Sequence, residues 1–233
     1  MLRELYKQYI KISRGVSERS VGHYITGLNT INAILLKSNF PINDIFSVKS
    51  IEELNSIKEF LQRNEEFRSK DAIGHNMYSV AFKHFFRFAN EDERFFSHSI
   101  QQMDIPIVTP KQTERATHLW ERNQIIKSQA LRAANYICEY DHGHLTFTAK
   151  ATNKPYMEGH HLIPIKFQPE FKTSIDVYSN VVCLCPICHR LLHYGADREK
   201  IYAAEKIFDF RSERLSKSGI DITKTDFIRL ING

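Results

Sequence analysis

Apolar residues in the first hundred positions recur at intervals of three and four, the spacing of amphipathic helices. A first helix is predicted from the positions of Leu2, Leu5, Tyr6, Tyr9 and Ile10. Ser17 is placed to cap a second helix. The apolar face of that helix would contain Val21, Tyr24, Ile25, Leu28, Ile31 and Leu35. Ser50 and Glu53 form a capping box for a third helix towards Gln62. An aromatic stripe predicts a fourth around Asn76–Asn90, so this part should be a helical bundle.

The pattern changes after residue 103. The segment Asp104–Glu114 holds two prolines and has no periodicity, which is typical of a linker. A further helix is predicted at about Trp120–Tyr136, and the broken pattern from Leu145 to Val182 favours a β-hairpin with a long loop. The remaining predicted helices are Cys188–Tyr194, Arg198–Leu215 and Lys224–Ile231. We therefore predict a helical domain over residues 1–103, a linker over 104–116 and a second domain over 117–233.

Composition is that of an ordinary globular protein, with 42% hydrophobic and 25% charged residues among 233. No apolar run is long enough to span a bilayer, and the charges within Met1–Ile10 argue against a signal peptide. Four cysteines in such a chain favour a reducing, cytoplasmic location, where metal binding or free thiols are expected instead of disulfides. The net charge is +1 for residues 1–110 and +4 for residues 111–233. Most of the net positive charge therefore lies in the part of the chain that contains the four cysteines.

The cysteines all lie in the second half, at Cys138, Cys183, Cys185 and Cys188. Cys185 and Cys188 have the Cys-x2-Cys spacing that holds two thiolates at zinc-binding distance, although redox pairs share it. Cys138 and His144 would complete a Cys3His set for one structural Zn²⁺ per chain. His142 and Asp141 are competing candidates for the fourth position. Cys183 has no second ligand to join and is expected to be a buried thiol.

Histidines are concentrated in the same region. His189 and His193 are four residues apart, so on a helix they would share one face and could bind a divalent cation. The third ligand would come from the adjacent pair His160 and His161. Neighbours on a strand point to opposite sides, so these two histidines cannot both have the same role.

These motifs together resemble the HNH endonuclease family. The resemblance is carried by Glu158-Gly-His-His-Leu-Ile-Pro164 and by Asn180-Val-Val-Cys-Leu-Cys-Pro-Ile-Cys-His-Arg-Leu-Leu-His193. The stretch Cys138-Glu-Tyr-Asp-His-Gly-His144 resembles the zinc-stabilised members from bacterial restriction systems, many of which have a second Cys-x2-Cys at this point. The family has a ββα-metal fold. Together with the helices predicted for the first part, the resemblance gives an α+β, mostly helical chain: an N-terminal helical domain, then an HNH domain with structural zinc knuckles and a helical tail.

The resemblance also implies roles for individual residues. His161 matches the general base that activates a water molecule. His160 and His189 match metal ligands, whereas His193 matches a residue that completes the metal site in some relatives and faces the phosphate in others. Asn180 matches the residue that holds the loop and so positions the base. The catalytic cation is expected to be Mg²⁺ or Mn²⁺, with Ni²⁺ as a further option because imidazoles suit transition metals.

The function implied is metal-dependent hydrolysis of phosphodiester bonds in double-stranded DNA, in restriction or antiviral defence. Arg190, Lys166 and Lys154 flank the predicted site and are candidate phosphate contacts, with solvated surface charge as the equal alternative. A non-catalytic zinc-binding adaptor and an HNH toxin nuclease of low specificity both remain open. A homodimer is expected, because a single-site nuclease usually needs two copies to cut both strands. No membrane partner is expected. The near-neutral charge of the N-terminal part argues against a strong general DNA clamp. Target recognition and dimerisation both remain open as its role.

Overall fold

The structure is a computed structural model that describes residues 1–90, 96, 98–109 and 123–232 of the chain. The chain is mostly helical, with a small two-stranded sheet in its second half, as the sequence predicted. It divides into two compact units, Met1–Asp92 and Glu93–Gly233. Within the described ranges, no helix is both long enough and apolar enough to cross a membrane.

The described part of the first unit is built from helices. They are α1 (Leu2–Arg14), α2 (Glu18–Lys37), α3 (Ile51–Arg63), α4 (Glu65–Ile73) and α5 (Met77–Asn90), with a short 3₁₀ helix at Ile45–Ser47. The side chain of Ser17 accepts the N–H of Ser20 at 3.3 Å, and that of Ser50 accepts the N–H of Glu53 at 3.2 Å. Both predicted caps are therefore confirmed. The Glu53 carboxylate turns back to the N–H of Lys49, one residue beyond the expected position.

An aromatic cluster between α1 and α5 lies at the centre of this unit. The ring of Tyr6 is 5.2 Å from that of Phe85 and 5.7 Å from that of Phe88, and all three side chains are buried. Such edge-on and tilted contacts add to the stabilisation from buried area. The helices α2 and α5 approach closely at Gly27, where a Cβ would lie 2.8 Å from the Cβ of Ala81. A larger residue at position 27 would push the two helices apart.

Helix α4 is not among the helices predicted from the sequence. Of the nine residues of this helix only Phe67 and Asp71 are buried, so it lacks the apolar stripe that identifies a helix. The helix begins after Asn64, whose side-chain oxygen accepts the N–H of Phe67 at 2.8 Å. The Asp71 carboxylate then accepts the N–H groups of Tyr78 and Ser79, each at 3.0 Å. Polar capping, which leaves little hydrophobic pattern, therefore defines this helix and the start of the next.

The described part of the second unit surrounds its sheet with helices. They are α6 (Gln124–Ala133), α7 (Pro186–Tyr194), α8 (Asp197–Lys217) and α9 (Lys224–Asn232). Strand β1 (Glu158–His161) pairs antiparallel with β2 (Val181–Leu184), with His160 opposite Val182. The connection between the strands contains a 3₁₀ helix at Ile165–Glu170. The predicted hairpin with a long loop and the three helices after it are confirmed. Helix α7 begins two residues before its predicted start, because proline suits the first helical position.

Residues 104–109 of the predicted linker lie against the core of the second unit. The buried Asp104 carboxylate accepts two hydrogen bonds from the Arg214 guanidinium, at 2.5 and 3.1 Å. Ile107 is also buried, and its carbonyl accepts the N–H of Ser174 at 2.7 Å. Residues 110–116 of the linker, and the predicted start of a helix at Trp120, lie outside the described residues. The domain ranges 1–103 and 117–233 stay predictions.

Candidate metal centres and active site

Three cysteines and one histidine of the second unit come together at one point. The potential ligand atoms of Cys138, His144, Cys185 and Cys188 all lie within 4.8 Å of one another. His144 Nδ1 is 3.2 Å from the sulfur of Cys188 and 3.5 Å from that of Cys185. Zn²⁺ takes four nitrogen or sulfur ligands in a tetrahedron, so this set of donors fits it. The structure therefore brings together the same four residues that the sequence analysis proposed.

A tight turn presents His144 to the thiols. Asp141 Oδ1 accepts the N–H of Gly143 at 2.9 Å, and Asp141 Oδ2 lies 3.6 Å from His144 Nε2. The carboxylate thus contacts the far side of the imidazole, while Nδ1 faces the sulfur atoms. The group of four includes neither His142 nor Asp141, which were the competing candidates for its fourth position.

The thiols of this cluster titrate unequally. Burial alone would raise the pKa of Cys138, but hydrogen bonds from the backbone at Cys185 and from the His144 side chain lower that pKa below its ordinary value. Burial and the neighbouring thiols raise the pKa of Cys188. Binding of a metal to thiolates would release the remaining protons. Cys183 lies outside the group and is 1% exposed, and burial raises the pKa of its thiol, as expected for an unreactive cysteine.

A buried guanidinium anchors this cluster to α8. Arg211 Nη2 donates to both carboxylate oxygens of Glu139, at 2.5 and 2.7 Å. The same side chain donates to the backbone carbonyls of Tyr178, Ser179 and Val181. Glu139 also accepts the N–H of Cys183 at 2.7 Å, so it joins the turn after Cys138 to β2. No motif or spacing in the sequence points to either member of this ion pair.

Three histidines form a second group. The ligand atoms of His160 on β1 and of His189 and His193 on α7 lie within 4.8 Å of one another. Their ring centroids are 4.7 to 5.1 Å apart. The four-residue spacing places two of them on one face of α7, and strand alternation turns the third towards them. Three imidazoles could hold a divalent cation, and they suit Mn²⁺, Ni²⁺ or Zn²⁺ better than Mg²⁺.

Glu158 supports the histidine group from the same face of β1. Its Oε2 is in direct contact with His189 Nδ1, which leaves Nε2 of that ring for a metal. Its Oε1 accepts the Tyr156 hydroxyl at 3.1 Å, and the Tyr156 ring stacks on Phe147 with centroids 4.9 Å apart. Burial lowers the pKa of His189 although the Glu158 charge acts in the opposite direction. The neutral imidazole, which is the form that binds metals, is thereby favoured.

His161 lies on the opposite face of β1 from His160, as strand alternation predicted. Its Nε2 is 2.8 Å from Asp176 Oδ1, and the two side chains are 9% and 11% exposed. A carboxylate oxygen accepts, so a hydrogen bond donated by Nε2 to Asp176 would leave the Nδ1 lone pair of the ring available. Asp176 Oδ2 accepts the N–H of Asn123 at 2.9 Å, at the start of α6. Asp176 is therefore fixed at both oxygens, and no spacing signal in the sequence identified it.

Asn180 joins three backbone groups behind the strands. Its Oδ1 accepts the N–H of Ile163 at 2.7 Å, and its Nδ2 donates to the carbonyls of Ile163 and Ile175 at 2.9 and 2.8 Å. The Asn180 carbonyl also accepts the N–H of Leu162, directly after His161. The side chain is fully buried. These bonds connect the chain on either side of the long loop to the end of β1.

The basic residues predicted to flank the site have different surroundings. Arg190 and Lys166 are exposed, whereas Lys154 is half-buried. The Arg190 guanidinium lies 5.9 Å from the ring centroid of Tyr194, and the Lys166 ammonium lies 4.7 Å from that of Phe167. Both charges are thus placed over neighbouring aromatic rings. Contact of these three residues with phosphate stays a prediction.

Lys127 of α6 is a further basic residue beside the histidine group. Its stem crosses β1 at Gly159, where a Cβ would come within 2.7 Å of the Lys127 Cγ. The glycine therefore leaves room for the lysine. The positive charge of Lys127 is also among the causes that lower the pKa of His189. Since Lys127 lies more than thirty residues before the strand, nothing in the motif spacing points to it.

The comparison with known families agrees with this geometry. Residues 138–195 match the model of the HNH endonuclease family. This range contains both ligand groups, together with His161 and Asn180. The prediction from the sequence is confirmed, and this part of the chain is an HNH endonuclease domain.

A curated relative extends the similarity beyond the motif. Over 92 residues, or 40% of this chain, the sequence is 33% identical to the type IV methyl-directed restriction enzyme EcoKMcrA of Escherichia coli (strain K12). The matched region is 31% of that enzyme. The chain thus spans about a third of the length of this relative.

Proposed function

We propose that the protein is a metal-dependent HNH endonuclease that hydrolyses phosphodiester bonds in double-stranded DNA, as part of restriction. The observation that carries the proposal is the presence of two separate ligand groups within the HNH range, one of Cys3His type and one of three histidines. A structural zinc protein would need the first group alone. The similarity to a methyl-directed restriction enzyme supports DNA as the substrate and restriction as the setting.

The proposed chemistry divides between the two faces of β1. His160, His189 and His193 would hold a divalent cation, which when bound supplies charge stabilisation at the scissile phosphate. His161 would take a proton from the attacking water at Nδ1, because its Nε2 is bonded to Asp176. The Asp176 carboxylate would then stabilise the imidazolium. Histidine suits this task because its ordinary pKa lies near neutrality.

The Cys3His group would have a structural role. We propose that Cys138, His144, Cys185 and Cys188 hold one Zn²⁺ per chain. Binding of structural zinc contributes on the order of 10 kcal/mol to folding. That contribution would help to fix the geometry between α7 and a sheet with only four residues in each strand. We expect zinc in this group to survive treatments that remove the catalytic cation.

Plasmid cleavage tests the proposal directly. Protein treated with EDTA should be inactive and should regain nicking activity with Mn²⁺, Mg²⁺ or Ni²⁺, while zinc measured by mass spectrometry remains bound. His161→Ala should lower the cleavage rate by about 10²–10⁴-fold, the usual contribution of a general base. His23→Ala, which removes an exposed histidine of the first unit, is the matched control and should cleave normally. Full activity of the His161 variant would contradict the assigned role.

The same assay separates the alternatives. A zinc-binding adaptor predicts bound zinc but no nicking with any divalent cation. A toxin nuclease predicts cleavage of unmodified DNA or of RNA without preference. Restriction of the methyl-directed kind predicts preferential cleavage of plasmid isolated from a methylating host over the same plasmid from a host without methyltransferases.

The proposed homodimer follows from the requirement to cut both strands. Sedimentation of the protein with and without a DNA duplex would reveal whether two copies assemble. Linear product without accumulation of nicked circles would indicate concerted cleavage by two sites.

A further inference from the structure

The first unit contains a cavity of about 300 Å³ whose lining is basic and polar. It lies between the end of α1 and the second half of α5. Its described lining residues are Tyr9, Ser13, Arg14, His84 and Arg87. None of these residues is acidic. Two guanidinium groups, an imidazole and two hydroxyls therefore surround the cavity.

Among the described residues, no carboxylate pairs with the two arginines of this cavity. Arg14 Nη1 lies 3.0 Å from His84 Nε2, so this guanidinium donates to an imidazole where an acid would be the usual partner. Arg87 forms no ion pair within the described part of the chain. Glu18, the acidic residue next along the chain from Arg14, pairs instead with Lys11.

The fold fixes the imidazole in this arrangement. The ring of Tyr24 packs edge-on against that of His84, with centroids 5.2 Å apart. Burial, and after it the positive charges of Arg14, Arg87 and Lys83, lowers the pKa of His84. The neutral ring can then accept from Arg14, which holds that guanidinium at the edge of the cavity. Positive charge gathered in this way, in a unit close to neutral overall, favours an anionic ligand.

We propose that this cavity, defined by Arg14, His84 and Arg87, binds a phosphate group of the DNA backbone. Arginine is suited to phosphate because its planar group offers several donors to the phosphate oxygens. Ser13 would contribute a hydroxyl donor to the same ligand. The choice of DNA as the source of the phosphate rests on the proposed nuclease function, whereas the preference for a phosphate anion rests on the cavity alone. The first unit would then contribute to target binding.

The test uses the whole chain of 233 residues with two probes, a short DNA duplex and inorganic phosphate. The double variant Arg14→Gln/Arg87→Gln removes both charges of the cavity. The control Arg63→Gln/Arg68→Gln removes two exposed arginines of the same unit that do not line it. Both comparisons are made in the His161→Ala background, so that DNA is not cleaved during the measurement. Thermal unfolding of each protein verifies that the first unit is folded.

Loss of the contact with one phosphate should reduce the slope of log affinity against log salt by about 1 and weaken duplex binding on the order of tenfold or more at 0.1 M salt. The control should lower the slope by much less. The ring protons of His84, followed by NMR, should shift with duplex in the parent protein and not in the cavity variant. Equal salt slopes for the cavity and control variants would overturn the proposal. So would a His84 shift with inorganic phosphate but none with duplex, since the cavity would then serve a free anion.

The outcomes also separate this proposal from that of the nuclease. If the parent protein does not cleave DNA but its His84 signal still responds to duplex, the phosphate-cavity proposal stands and the nuclease proposal is rejected. If the variant without both cavity arginines binds duplex with an unchanged salt slope, and the same replacements leave DNA cleavage normal, the nuclease proposal stands. The cavity proposal is then rejected.

Discussion

Asn180 offers the sharpest test of how the fold positions the proposed base. Replacement of Asn180 by alanine would remove three hydrogen bonds. Three backbone groups would each lose the bond from Asn180: the N–H of Ile163 and the carbonyls of Ile163 and Ile175. The site is fully buried, so water cannot readily replace the lost side chain. A buried polar group without a partner costs about 1–3 kcal/mol, and three such groups would lose the bond from Asn180. We therefore expect a loss of about 4 kcal/mol in the free energy of unfolding.

That loss is large in comparison with the stability of a typical domain, which is about 5–15 kcal/mol. Differential scanning calorimetry of the zinc-loaded protein should show the transition of the second unit about 8–16 °C lower. Hydrogen exchange provides a local measure, because the amide of Ile163 should lose protection before other amides of the sheet. DNA cleavage should fall through kcat more than through KM, because the loop that follows His161 would no longer be held in place.

A neighbouring residue supplies the matched control. Ser179 is also fully buried, and its hydroxyl donates one hydrogen bond to the Ser218 hydroxyl at 2.8 Å. Ser179→Ala should therefore cost about 1 kcal/mol. A loss below about 1 kcal/mol for Asn180→Ala, or one equal to that of the Ser179 variant, would refute the reasoning that the asparagine holds the loop.

Further predictions concern the residues around the two ligand groups. Arg211→Met should destabilise the second unit by about 3 kcal/mol, measured by urea unfolding, because Glu139 would lose its charged partner. A loss of less than about 1 kcal/mol would contradict this expectation. Cys188→Ser should lower the zinc content measured by mass spectrometry, whereas the control Cys183→Ala should keep one zinc per chain. Equal zinc content in the two variants would exclude the proposed ligand set. Lys127→Gln should weaken DNA binding on the order of tenfold and lower its salt slope by about 1, whereas the exposed Lys150→Gln should change the slope less.

The local part of the site could be predicted from the sequence. The Cys-x2-Cys pair and the two histidines four residues apart lie on or beside α7, so helical geometry alone fixes their relative positions. The alternation of His160 and His161 across β1 follows from strand geometry in the same way. The grouping of Cys138 with Cys185 spans more than forty residues, and it was proposed because Cys138 and His144 would complete a set of four zinc ligands.

The residues that support the site could not be predicted in this way. Asp176, Lys127 and Arg211 reach the site from the long loop, from α6 and from α8, and no fixed spacing joins them to the motifs. Asp, Lys and Arg side chains usually lie on the surface in contact with water, so the residue type alone does not indicate that one of them is buried in a site. Only the tertiary fold reveals that Asp176 and Arg211 are buried and bonded. The same reason explains the missed α4, where capping by Asn64 replaces a hydrophobic pattern.

The division of β1 into two faces explains how so short a strand could serve both metal binding and proton transfer. Its four residues place Glu158 and His160 on the side of α7, and they turn His161 towards Asp176 on the other side. Gly159 completes the arrangement, because any larger residue would displace the stem of Lys127. A shift of register by one residue would exchange the faces and move His160 away from both histidines of α7. The bonds from Asn180 and Arg211 to the adjoining chain would oppose such a shift. We infer that these buried polar residues specify the register of the strand as well as stabilising the fold.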